Sequence, residues 1–137
     1  MMTHEVEIYV RFCETDALGH VNNISHFLYF EEARTKFFTE VFPEKDDRFN
    51  FIIASIKCDY IKQAYAGQIL KVKTEIKKIG NTSFTLCHRL TTKDMGITIA
   101  TAEAVIVCFH YQEQKSIPIP QELRTNLEKY QHAIPKT

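Results

Sequence analysis

The chain has 137 residues, enough for one domain with a real core and too few for two. Hydrophobic residues make up 45% and charged residues 25%, the balance of a soluble globular protein rather than a disordered or membrane-spanning one. The 17 Lys and Arg offset the 17 Asp and Glu, so global charge gives no reason to expect nucleic acid or an anionic membrane as partner.

The opening "MMTHEVEIYVRF" lacks the basic-then-apolar pattern and small-residue cleavage site of a signal peptide. Residues 5–12 alternate as a strand does, and residues 23–41, "NISHFLYFEEARTKFFTEV", read as a helix that Phe42-Pro43 ends. "EKDDRFN" at 44–50 reads as a polar loop. From Phe51 the pattern turns to strands: 51–64, a turn at Gly67, then 69–79, where Leu70, Val72 and Ile76 face one way and Lys71, Lys73, Glu75 and Lys77 the other. A "GN" hairpin turn at 80–81 leads into strand 82–92, and "KDMG" joins this to strand 97–112. From about residue 118 the chain reads as a proline-rich link and a short C-terminal helix or tail. Strand, long helix, then four antiparallel strands is an α+β plan in one domain, residues 1–137, with the helix on one face of a curled sheet.

In the last strand, Val105, Val107, Phe109 and Tyr111 lie on one face and Ala104, Ile106 and Cys108 on the other. Apolar residues on both faces mark either a central strand under cover or a subunit interface, and the second reading is preferred. On a helical wheel Ile24, Phe27, Phe30, Phe37, Phe38 and Val41 gather on one side, with Leu28 at the border. Ser25, His26, Glu32, Lys36, Thr39 and Glu40 fall outside that stripe, and Glu31 and Arg34 fall within it. Three readings stand for those two charges: an ion pair three residues apart, charges that reach the rim of the stripe, or a Glu31 that lines a site two turns from the helix start.

The four cysteines, Cys13, Cys58, Cys87 and Cys108, form no C-x-x-C pair, which points to free thiols in a reducing cytoplasm. Cys87-His88 and Cys108-x-His110 make a poor metal site, because neighbours on a strand point to opposite faces, and no metal is expected.

The stretch "FCETDALGHVNNISHF" at 12–27 carries the chemistry. Asp16 follows a strand, Gly19 permits a left-handed turn, and Asn22 or Asn23 can cap the helix. An acid beside the free N–H groups and positive end of a helix is a nucleophile or general base next to an oxyanion hole, the arrangement that attacks a carbonyl. The plainer reading of Asp16 is a cap or turn residue. His20 reads equally as a turn residue or a polar group of the pocket, and Cys13 has no base beside it in the motif. No Gly-rich phosphate loop is present.

Thr15-Asp16, Gly19-His20-Val21-Asn22-Asn23, Tyr29-Phe30-Glu31 and Ala33-Arg34 resemble the motif region of the 4-hydroxybenzoyl-CoA thioesterase family. "CDYIKQAYAGQILKVKTEI" and "KIGNTSFTLCHRL" are similar to its strands, so the resemblance spans about residues 5–111. It implies a hotdog fold, a long helix wrapped by an antiparallel sheet, dimerised through the sheet with sites at the dimer interface, and often a tetramer. It implies an acyl-CoA thioesterase, with Asp16 as catalytic carboxylate and the N–H near Asn23 as oxyanion donor. Gly19, His20, Val21, Asn22, Phe27 and Glu31 become pocket candidates. Lys71 and Lys73 are candidates for the CoA phosphates, against their plain reading as a solvated strand face. CoA would be part of the substrate and no cofactor is expected. The alternatives are an acyl-carrier-protein thioesterase or a non-catalytic thioester-binding module. The chain departs from similar sequences at Phe12 and His26, where tyrosine is frequent, which bears on the acyl group rather than on the reaction.

Overall fold

In a computed structural model the structure describes residues 2–43 and 49–131. The elements are β1 (His4–Tyr9), a 3-10 turn (Phe12–Glu14), α1 (Asn23–Val41), β2 (Phe49–Tyr60), β3 (Ile69–Ile79), β4 (Ser83–Thr92), β5 (Thr98–His110), β6 (Lys115–Ser116) and α2 (Gln121–Glu128). All strands pair antiparallel in one sheet of order β1-β3-β4-β5-β2, with the short β6 added to β5. The first strand stops at Tyr9, short of the expected residue 12, because the Glu14 carboxylate takes the Arg11 N–H at 2.9 Å and its guanidinium at 3.1 Å and winds the chain into the 3-10 turn. Most of the expected loop at 44–50 lies outside the described residues, and its last two residues, Phe49 and Asn50, already belong to β2.

Helix α1 has the bounds its sequence predicts. Asn22 caps it, accepting from the Ser25 N–H at 2.9 Å. Its buried face, however, is rotated from the apolar stripe of the wheel. Ser25, His26, Tyr29, Phe30, Ala33, Arg34, Phe37 and Val41 are buried, whereas Ile24 is 73% exposed and Phe27 and Leu28 are also exposed. The polar residues go inward because they find partners there. His26 donates from Nδ1 to the Asn22 carbonyl at 3.0 Å, and the Tyr29 hydroxyl donates to Glu14 Oε1 at 2.9 Å. The expected Glu31–Arg34 ion pair is not formed among the described residues: Arg34 is buried, Glu31 is exposed, and Glu31 acts on the guanidinium only through its field.

The helix and sheet enclose a core in two halves. One holds Val6, Ile8, Phe30, Ala33, Val72 and Leu90; the other holds Phe37, Val41, Ile76, Phe84, Leu86 and Ile106, and α2 closes it with Leu123 and Leu127. Between them runs a polar row. His4 on β1 lies opposite Thr74 on β3, and Thr74 lies opposite His88 on β4. His88 stacks flat on Phe30, with ring centroids 5.2 Å apart, and Thr74 Oγ1 meets its Nδ1 at 2.9 Å. On β5, Ala102, Ala104, Ile106 and Cys108 are the buried face, while Val105, Val107 and Phe109 on the other are only half-buried and Tyr111 is exposed.

Burial, with the positive field of Arg34 and then of His4, lowers the His88 imidazole from 6.5 to about 3. Its folded value lies below its unfolded one, so the unfolded chain takes the proton first. The stability tied to a neutral His88 is whole above pH 6.5 and is lost as pH falls from 6.5 towards 3. Melting temperature in citrate–phosphate buffer is expected to fall through that window, at about 1.4 kcal/mol per pH unit for one proton. The His88→Gln variant, which cannot titrate, is expected to show a shallower fall.

Candidate active site

Residues 14–22 form a small hairpin. The Asn22 N–H donates to the Glu14 carbonyl at 3.1 Å, Thr15 and Val21 form an antiparallel bridge, and the Asp16 N–H donates to the His20 carbonyl at 2.7 Å. The tip is Ala17-Leu18-Gly19, a three-residue turn whose last position is left-handed, and Gly19 takes it with φ 82°. The hairpin is bonded to the chain before β3. The Val21 N–H donates to the Ala64 carbonyl at 2.8 Å, His20 bridges to Tyr65, and their rings meet edge-on at 5.1 Å.

Asp16 serves the turn with one oxygen. Its Oδ1 accepts from the N–H groups of Leu18 at 2.9 Å and His20 at 3.2 Å, an Asx turn. Its Oδ2 carries no hydrogen bond among the described residues, and the side chain is exposed. Two rungs along the hairpin, about 7 Å by strand rise, the chain enters the helix at Asn22. That cap uses the Ser25 N–H and leaves those of Asn23 and Ile24 without a partner among the described residues, at the positive end of a 19-residue helix. A fixed carboxylate with one free oxygen, and two free N–H groups at a helix start, can direct water at a carbonyl and hold the charge that forms on it.

The fold therefore brings Asp16, Gly19, His20, Val21, Asn22 and Asn23 into one hairpin and helix start. Phe27 lies a turn further on, at the exposed flank of α1. Glu31 lies beyond it, on a cavity of about 460 Å³ between α1 and β2 that Arg34, Phe38, Phe42, Asn50 and Phe51 also line. Lys71 and Lys73 are elsewhere, on the outer face of β3, where both face Glu5 of β1 at 3.3 and 4.0 Å. Cys87 and His88 point to opposite faces of β4, and no three His, Cys, Asp or Glu side chains gather as a metal site among the described residues.

Glu14 escaped the sequence reading, and His26, placed there off the apolar face of the helix, is in fact buried. Glu14 fixes Tyr29 under the hairpin, and its negative charge, after burial, raises the Tyr29 phenol well above its ordinary range. His26 is buried against Tyr60, with ring centroids 4.9 Å apart, and burial holds it neutral by lowering its pKa. A sequence signal for the burial of His26 is its place four residues after Asn22, within reach of the Asn22 carbonyl.

A sheet of this order wrapped on one long helix, with an acid-bearing hairpin at the helix start, is the hotdog fold of thioester hydrolases. The chain belongs to the thioesterase-like superfamily, whose family model matches residues 10–127. It is 30% identical over 122 residues to YsmA of Bacillus subtilis, covering 88% of this chain and 82% of that protein. It is 26% identical over 133 residues to the long-chain acyl-CoA thioesterase FadM of Escherichia coli, covering 91% of this chain and 97% of FadM. A solved structure of a predicted thioesterase from Bacillus stearothermophilus superposes with a TM-score of 0.88 at 30% identity, over 98% of this chain and all of that one. The chain is an enzyme of the thioester hydrolase class. No helix among the described residues is long and apolar enough to cross a membrane.

Proposed function

We propose that this chain hydrolyses an acyl-CoA thioester to a free acid and CoA. The observation that carries the reading is Asp16, held by two N–H groups on Oδ1 with Oδ2 free, in the same hairpin that delivers the open N–H groups of Asn23 and Ile24. In the forward reaction Oδ2 takes a proton from water, or attacks directly, and the thioester oxygen gathers charge against the helix start. CoA leaves as the thiolate, a good leaving group, and the proton drawn from water passes from Asp16 to solvent or the thiolate. If Oδ2 attacks directly, a water then cleaves the acyl-Asp16 anhydride, releasing the acid and restoring the carboxylate. The reaction consumes only water and the thioester, and calls on no further cofactor. Because CoA carries the recognised handle, the relatives' acyl-CoA activity supports this substrate class over the carrier-protein alternative. Four free thiols support a reducing, cytoplasmic location.

The proposed working form is a dimer through the edge strand β2. In the single chain Ile52 and Ile53 of β2 are exposed, as are Ile24, Phe27 and Leu28 on the flank of α1. A second copy that covers them would also explain why the apolar stripe of the helix does not coincide with its buried face.

The test is a panel of short, long and aromatic acyl-CoAs with free thiol as the readout. Thiol release that depends on Asp16 is expected with at least one of them, and none with any would sink the reading. Light scattering at micromolar concentration is expected to give at least two chains per particle, and a monomer would remove the dimer.

A further inference from the structure

The polar row inside the core is a buried feature that the proposed chemistry does not use. Thr74 is small and stands between two imidazoles on neighbouring strands, so the His4 and His88 backbones are about 10 Å apart, two strand spacings. The helix packs over this row. Phe30 stacks on His88, Phe37 meets His4 edge-on at 5.5 Å, and Arg34 lies between those two phenylalanines on the same buried face. Three nitrogens of this cluster are buried without a hydrogen-bond partner among the described residues: Arg34 Nη1, His88 Nε2 and His4 Nδ1. His88 is 2% exposed and Arg34 5%.

The chemistry of Arg34 Nη1 and His88 Nε2 points one way, and His4 Nδ1 joins them in the tautomer that carries its hydrogen there. A guanidinium only donates. When the Thr74 hydroxyl donates to His88 Nδ1, Nε2 carries the hydrogen and donates as well. No carboxylate reaches Arg34 within 4 Å among the described residues: Glu31 is exposed, and Glu40 and Lys36 act on His4 from further along the helix. A buried guanidinium without a counter-charge is destabilising. Water would satisfy the hydrogen bonds and leave the charge. An anion does both.

We propose that the core of this protein binds a small monovalent anion of the halide class over Thr74, between Arg34 Nη1, His88 Nε2 and His4 Nδ1. A single-atom ion accepts from donors on several sides at once and takes the least room in a packed core. The site lies under the middle of α1, apart from the Asp16 hairpin, and does not depend on the thioesterase reading.

The probe is bromide. Crystals of the full chain grown in sodium bromide are expected to show an anomalous peak at the bromine edge within about 3.5 Å of Arg34 Nη1 and His88 Nε2. In solution, replacing sodium gluconate by sodium bromide at constant ionic strength is expected to raise the melting temperature by about 5 °C and to saturate. Arg34→Met keeps the length and loses the charge, and is expected to lose that dependence. A peak without anomalous signal, marking water, would overturn the proposal, as would no peak at all. Equal bromide dependence in Arg34→Met would also overturn it. Should that variant fail to fold, the anomalous map of the parent protein still decides.

Discussion

Replacing Asp16 with asparagine is expected to lower kcat at least about a hundredfold, the usual scale for losing a positioned base, with KM much less changed. Asparagine keeps the Oδ1 that accepts from Leu18 and His20, so the turn and the helix start survive. What it loses is the charge and basicity of the free oxygen, which matter only as the transition state forms. Thiol release measured across substrate concentrations separates the two parameters, and an unchanged melting temperature shows that the turn persists. If Asp16 were only a turn residue, the variant would turn over at the parent rate, and that outcome would end the catalytic assignment. Asp16→Ala removes the turn acceptor as well and is expected to lower both stability and rate.

The second large effect lies in the core. Phe37 is fully buried, with its ring against His4, Phe38 and Tyr130. Truncation to alanine leaves a cavity where α1, β1 and the C-terminal segment meet. A loss of about 3 to 5 kcal/mol is expected, or roughly ten to twenty degrees of melting temperature in a chain of this size. Phe12, which is 81% exposed, is the control: Phe12→Ala is expected to change stability by less than about 0.5 kcal/mol. Equal effects at the two positions would contradict the placement of the core.

The helix and the strands were legible because their signals are local. Asn22 and Pro43 bound α1, and the alternation of Leu70, Val72 and Ile76 with lysines marks β3. The left-handed turn at Gly19 and the cap at Asn22 were legible for the same reason, whereas the pairing of Thr15 with Val21 that makes the segment a hairpin was not. The inward face of α1 was not. A wheel counts apolar residues and cannot tell those that meet the sheet, such as Phe30 and Phe37, from those left outside it, such as Ile24 and Leu28. Nor does it see that Ser25, His26 and Tyr29 can be buried once the cap and Glu14 satisfy them. The polar row was hidden because His4, Thr74 and His88 come together only through pairing between distant strands.

The hairpin at 14–22 is held mainly by main-chain bonds, to itself and to Ala64 and Tyr65. Main-chain geometry is indifferent to most side chains, so the shape of this loop is separable from the identity of Ala17, Leu18 and His20. Gly19, through its left-handed φ, and Asp16, through its turn bonds, are the exceptions. The frame that holds Asp16 and the neighbouring surface can thus diverge independently over evolutionary time. A mutational scan should reveal this as broad tolerance at 17 and 18 beside near-invariance at 16 and 19.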